Sequence, residues 1–227
     1  MKYLVGTEQG SIITAQLRPK KPVELTLRYG LEDGRHLGPI YACQRNQLSK
    51  YFLTVGDWTA QIWHEELRTP IIRTKFHHSY LSDGCWSPTR PGVFFVITKD
   101  GWIKVWDYYY RQNELAFEHK VSDTGLTSIA INSEGGSNHD AGKLVAIGDQ
   151  DGTVTLLELC RSLHFTQEKE KDAITEMFDR EYKKEKQIEA LKKQDQKRSA
   201  RRVRKTKEDS ESKKKEWIEK AEKCFRE

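Results

Sequence analysis

One short phrase occurs four times in the first 160 residues: an apolar pair or triplet, a turn, then β-branched or aromatic residues in alternation. The copies are Leu4-Val5-Gly6-Thr7-Glu8-Gln9-Gly10, Phe52-Leu53-Thr54-Val55-Gly56-Asp57-Trp58, Phe94-Phe95-Val96-Ile97-Thr98-Lys99-Asp100-Gly101 and Leu144-Val145-Ala146-Ile147-Gly148-Asp149-Gln150-Asp151-Gly152. Aligning Gly10, Trp58, Gly101 and Gly152 gives steps of about 48, 43 and 51 residues, the length of a four-stranded repeat unit. A single such sheet cannot bury both of its faces, so units of this kind stack radially as propeller blades. The chain therefore reads as a repeat-built binding platform.

Period-two alternation sets the strands within each unit. The first unit is expected at 2–6, 11–17 and 23–29, and lacks an innermost strand. The second runs through Gly38 to Gln44, 51–56 and 59–64 and closes near Ile71 to Phe76. The third uses Tyr80 to Trp86, 93–97, 102–107 and Glu114 to Glu118. The fourth has Leu126 to Ile131, 143–148 and 153–159, with the polar insertion Ser133 to Asp140 as a mobile surface loop. That makes about three and a half blades, an incomplete ring with an open edge at each end. The count reads as the C-terminal part of a longer propeller, or as a ring that another chain completes.

Composition changes after residue 166. Residues 1–166 carry 18 Lys+Arg and 18 Asp+Glu, whereas 167–227 carry 21 and 16 and so account for the whole net charge of +5. Five of six tryptophans and every proline precede residue 107, as expected of strands and turns. From Lys169 onward glycine and proline vanish and Glu, Lys, Gln and Arg dominate, which reads as helix. The division is a partial propeller at 1–166 and a charged, partly disordered helical tail at 167–227. The first turns of the tail are expected against the propeller or a partner. Glu181 and Lys184 interrupt any heptad seam, so a long coiled coil is not expected.

Several phrases go beyond a generic WD repeat. Gly38-Pro39-Ile40-Tyr41-Ala42-Cys43-Gln44-Arg45-Asn46, Phe52 through Trp63, Trp86-Ser87-Pro88-Thr89-Arg90-Pro91-Gly92-Val93-Phe94-Phe95 and Met177-Phe178-Asp179-Arg180-Glu181 together resemble axonemal dynein intermediate chains. The outer-arm intermediate chain 2 type is most similar and the inner-arm type second, over roughly residues 1–192. The resemblance implies a non-catalytic subunit whose propeller grips the N-terminal tail of a dynein heavy chain, beside a second intermediate chain, with microtubules or docking proteins as further partners. It implies a place in the cytoplasm and in the axoneme of a cilium or flagellum. A general WD-repeat scaffold, whose basic tail binds RNA or microtubules, is the alternative.

Nothing in the sequence points to catalysis, a cofactor or a metal. GxxxxGK[ST], GxGxxG and HExxH are absent, and Cys43, Cys85, Cys160 and Cys224 lack zinc spacing. His77 and His78 are adjacent on an expected strand and would face opposite sides. Asp149-Gln150-Asp151-Gly152 hints at a calcium loop but runs straight into a strand. Asp57, Asp100, Asp149 and Asp151 are expected to hold turns through nearby amides. The longest apolar run, Val93 to Ile97, is far too short to span a bilayer.

Docking candidates remain. Trp63 and Trp106 end a strand and are expected between blades. Trp58 and Trp102, at the turns, are candidate partner anchors, because tryptophan buries much area at little rotamer cost. In the tail, Trp217, Ile218, Ala221, Cys224 and Phe225 fall on one helical face, as a docking helix requires. Arg198, Arg201, Arg202, Arg204, Lys205 and Lys207 form a basic patch suited to an acidic surface; no aromatics interleave with them, which argues against nucleic acid.

Overall fold

In the computed structural model, residues 2–16, 27–30, 34–133 and 141–224 are described. Fourteen strands form four antiparallel sheets among them, followed by two helices. The first sheet is β1 (Lys2–Gly6), β2 (Ile12–Gln16) and β3 (Leu27–Tyr29). The second is β4 (Ile40–Arg45), β5 (Tyr51–Gly56), β6 (Thr59–His64) and β7 (Ile72–Arg73). The third is β8 (Leu81–Trp86), β9 (Val93–Thr98), β10 (Trp102–Asp107) and β11 (Phe117–Lys120). The fourth is β12 (Leu126–Ile131), β13 (Leu144–Asp149) and β14 (Val154–Glu158). Each is a meander in chain order, and the incomplete array expected from the sequence is present, with three, four, four and three strands. The insertion at 134–140 and most of the expected strand at 23–29 lie outside the described residues.

Both faces of the middle strands are covered, so every residue of β5, β6 and β9 is buried, and the first five residues of β9 read as a continuous rather than alternating apolar run. Phe52 and Trp63 pack with Ile12 and Tyr29 of the first blade. Leu53, Val55 and Ile62 on the reverse face pack with Phe94, Val96 and Trp106 of the third. Phe95, Ile97 and Val105 then meet Ile129, Val145 and Ile147 of the fourth. Trp63 and Trp106 thus lie between blades, as expected. At the end of the array, Val154 and Leu156 of β14 are 69% and 64% exposed, and no described strand pairs with β14 beyond β13.

The second blade is tied by a buried hydrogen-bond chain. Trp63 Nε1 donates to Thr54 Oγ1 at 2.9 Å, and that hydroxyl lies 2.9 Å from His36 Nε2. His36 Nδ1 faces Asp57 Oδ1 at 3.4 Å. Asp57 also accepts the backbone amides of Leu37 and Thr59 at 2.6 and 2.8 Å. Burial alone would raise the Asp57 carboxyl, but His36, the Leu37 amide and Thr59 outweigh it and hold it below the usual carboxylate range.

The third blade keeps the geometry and loses the chain. The Phe94–Trp106 stack, centroids 6.1 Å apart and 6° from parallel, repeats Phe52–Trp63 at 6.1 Å and 4°. Val96, though, stands at the register of Thr54. Trp106 Nε1 and His77 Nε2 are buried without partners, their rings 6.1 Å apart. Burial pushes the His77 imidazolium down to about 4, with Lys104 and His78 adding to the shift. Val96→Thr is isosteric and would supply the missing hydroxyl. It is expected to stabilise the protein by about 1 kcal/mol, raising Tm by roughly 2–4 °C in a thermal melt; the same hydroxyl introduced by Val93→Thr, which faces the fourth blade, should destabilise.

The long helix α2 (Glu170–Cys224) follows the short α1 (Arg161–His164). Its first turns are packed into the blades: Ile174, Met177 and Phe178 are buried in the core of the second and third blades. Phe178 lies 4.9 Å from the Tyr51 ring, and Tyr51 donates a 2.6 Å hydrogen bond to Asp179. The compact unit accordingly runs from Met1 to Tyr182, past the change in composition, and Lys183–Glu227 form a second unit.

A buried ionic cluster fixes the start of α2. Arg90 Nε lies 2.9 and 3.1 Å from the Glu170 carboxylate, and its Nη atoms grip Asp107 at 2.7 and 3.2 Å. Its Nη1 also donates to the Ser162 carbonyl at 2.7 Å. Burial opposes the guanidinium charge, and the two carboxylates outweigh it, raising Arg90 above its ordinary value.

Candidate partner-docking surface

The blades have two distinct ends. At one, the hairpin turn between the second and third strands meets the connections that enter its own and the next blade: the Leu37 amide donates to Asp57, the His77 amide donates to the Trp58 carbonyl at 2.9 Å, and Ser122 Oγ donates to Asp149 at 3.3 Å. The first turns of α2 pack at the other end, against Tyr51, Trp86 and Tyr108. A six-residue strand such as β5 separates the two ends by about 20 Å.

Trp58 stands at the open end. Its turn has only two residues, so the left-handed φ of 47° falls on Asp57, which its own carboxylate steadies by holding the Thr59 amide. In the third blade the turn is longer and Gly101 takes the left-handed position at φ 91°. A side chain there would meet the Ser122 carbonyl at 1.9 Å. Asp149 holds its own turn through the amides of Asp151 and Thr153. In the phrase that hints at calcium, Asp149 is thereby a turn-holding acceptor and Asp151 contributes its backbone amide. Among the described residues, no group of three or more His, Cys, Asp or Glu converges to hold a metal ion.

Trp58 does not stand alone. Its ring lies 4.2 Å from that of Tyr80, tilted by 32°. Lys99 Nζ sits 5.8 Å from the Tyr80 ring and 5.5 Å from that of Tyr41. Tyr41, Lys99, Tyr80 and Trp58 form a row across the second and third blades, with Leu37 beside it, 71% exposed. Tyr41 is the extra residue of a β-bulge between Ile40 and Ala42. Bulges also interrupt β8 between Leu81 and Asp83 and β12 between Leu126 and Ser128; such a residue is turned out of the pleat. Sequence reasoning found Trp58 and missed Tyr41, Tyr80 and Lys99, because the bulge and the neighbouring blade, not strand periodicity, bring them together. Trp102, expected at the corresponding turn of the third blade, is instead the first residue of β10: half-buried, it pairs with Lys120 of β11, because the longer turn ends at Gly101.

The tail candidates all fall within or beyond α2. Arg198, Arg201 and Arg202 are exposed, and Ile218 is 44% exposed. The side chains of Arg204, Lys205, Lys207, Trp217, Ala221 and Cys224, and the whole of Phe225, lie outside the described residues. No described helix is long and apolar enough to cross a membrane.

The stacked blades, the hydrogen-bonded Trp–Thr–His–Asp chain and a surface of aromatics on turns define a WD-repeat scaffold. The family described as Dynein axonemal intermediate chain 3 WD40 domain matches residues 1–159. This chain belongs to the axonemal dynein intermediate chain WD40 family. It is 47% identical over 191 residues to "Dynein intermediate chain 3, ciliary" of Heliocidaris crassispina, covering 83% of this chain and 30% of the relative. It is 45% identical over 190 residues to "Dynein, 70 kDa intermediate chain, flagellar outer arm" of Chlamydomonas reinhardtii, covering 82% and 32%. With "Dynein axonemal intermediate chain 2" of Xenopus laevis it shares 47% over 192 residues, covering 83% and 31%. The chain thus spans less than a third of the length of these relatives. Among solved structures, the computationally designed Ika8 and Ika4 proteins match with a TM-score of 0.53 at 18% identity, which shows the fold alone. The match covers 70% of this chain and 43% of Ika8, and 69% of this chain and 84% of Ika4.

Proposed function

We propose that this chain acts as a non-catalytic intermediate-chain subunit of an outer-arm axonemal dynein, in a cilium or flagellum, where its blades hold the tail of a heavy chain and support assembly of the arm. The observation that carries this reading is the 45% identity to a flagellar outer-arm intermediate chain over 190 residues, 82% of this chain. The division of labour follows the two units: the blades with the first turns of α2, up to Tyr182, supply the rigid platform, and the tail beyond them a second contact. In that tail, Trp217, Ile218, Ala221, Cys224 and Phe225 provide an apolar docking face. The Arg198–Lys207 run speeds encounter with an acidic partner such as tubulin, the second intermediate chain or a docking protein. Exposed charges are screened by salt and add little lasting affinity, so the aromatic face sets the dissociation rate.

The test is affinity purification of the tagged full chain from ciliary extract. Recovery of a dynein heavy chain is the expected result; ribonucleoproteins without any heavy chain would overturn the reading in favour of a general RNA-binding scaffold. In axonemal rebinding, Trp217→Ala is expected to dissociate about thirtyfold faster. If it rebinds like wild type while a 201–205 charge-neutralised variant fails at both low and high salt, the tail is an electrostatic tether instead.

A further inference from the structure

We propose that the Tyr41–Lys99–Tyr80–Trp58 row is a docking site for a helix of a partner protein that presents a carboxylate and an aliphatic side chain one to two turns apart. The inference rests on the assembly role above and identifies the partner's chemistry at this surface.

Charge comes first. Lys99 is exposed and takes part in no ion pair among the described residues. It stands over two tyrosine rings, at 5.5 and 5.8 Å. Ring faces hold an ammonium in place without neutralising it. An incoming carboxylate therefore meets a cation whose rotamers are already restricted, which lowers the entropy lost on binding. The apolar anchor lies next to it. Trp58 packs on Tyr80 at 4.2 Å, and Leu37 leaves its side chain in solvent beside their turn.

The partner's shape follows from the backbone. At this end the Trp58, Asp57 and Tyr80 carbonyls accept from His77, Leu81 and Lys99 at 2.9, 2.8 and 2.9 Å. Those groups are already paired, so an added strand has little ladder to extend, and recognition falls to side chains, as when a helix presents one face. Residues three or four apart on a helix are neighbours, and those seven apart are about 10 Å distant. That span matches a row whose cation and tryptophan are separated by a single tyrosine. Nucleic acid fits less well. The row offers one cation, with the Asp100 carboxylate exposed next to it in sequence, whereas strand binding relies on a groove of several phosphate contacts. The first turns of α2 pack at the opposite end of these blades and do not compete for this surface.

The test titrates the full chain against the labelled N-terminal tail segment of an outer-arm heavy chain, with single-stranded RNA as a second probe. Trp58→Ala is expected to weaken tail binding about thirtyfold, a loss that persists at high salt. Lys99→Glu should weaken it tenfold or more at low salt and less at high salt. Arg111→Glu, an exposed charge reversal at the other end, should bind as wild type does. All three should melt like the parent. Wild-type affinity in both Trp58→Ala and Lys99→Glu would overturn this site and leave the assembly role standing. Failure of the wild-type chain to bind the tail would overturn that role and the partner assigned here together. Binding of the RNA with the same sensitivity to both variants would reassign the row to nucleic acid.

Discussion

Arg90→Met is expected to destabilise the protein by about 3–5 kcal/mol, because it leaves the carboxylates of Asp107 and Glu170 buried without their cation. Against a total stability of roughly 5–15 kcal/mol for a domain, that loss is enough to unfold much of the population near physiological temperature. Urea unfolding followed by tryptophan fluorescence measures it. The companion variant Arg90→Met/Asp107→Asn/Glu170→Gln removes all three charges and should recover most of the loss, since it is the stranded charge, more than the lost attraction, that costs. If the triple variant is no more stable than Arg90→Met, the geometry of the guanidinium is what the fold requires.

Phe178→Ala should cost about 3–5 kcal/mol, the usual penalty for emptying a fully buried aromatic site. The ring is 0% exposed and lies among Tyr51, Trp86 and Tyr108, at centroid distances of 4.9 to 6.4 Å. Leu191→Ala, on the same helix but 60% exposed, should change stability by less than about 0.5 kcal/mol. A chain ending at residue 166 loses Glu170, Ile174 and Phe178 together and is expected to aggregate, whereas one ending at residue 192 should melt cooperatively. A soluble, cooperatively folded 1–166 product would show that the blades do not need the helix.

Strands were legible in the sequence because neighbouring blades impose one simple demand on each of them. Phe52-Leu53-Thr54-Val55 and Phe94-Phe95-Val96-Ile97 are buried on both sides because a blade covers each face, so that apolar residues fill all but Thr54, and the glycine or short acidic turn that follows marks where the chain reverses. The start of the tail was half legible. Ile174, Met177 and Phe178 make only a short apolar stripe, because only about three turns of a 55-residue helix are packed into the blades. Arg90 and Glu170 were invisible as a pair: they are 80 residues apart, and no local pattern marks a buried ion pair. At the docking surface Trp58 announced itself as a tryptophan on a turn. Tyr41 did not, because a strand of period two places it on the wrong face, and only the bulge turns it toward Lys99.

The two-ended arrangement of the blades has a mechanical consequence. Covalent connection means that a pull on α2 beyond Tyr182 reaches Tyr182, Asp179, Phe178 and Glu170 in that order. The load therefore falls first on the contacts of Tyr182 with His64 and Glu66, then on the Tyr51–Asp179 hydrogen bond and the aromatic socket around Phe178, and finally on the Arg90 clamp. The turn that carries Trp58 lies a full strand length away, held by bonds within and between the blades. A propeller built this way can yield at its helical anchor while the opposite end keeps its shape, much as a fuse protects a circuit.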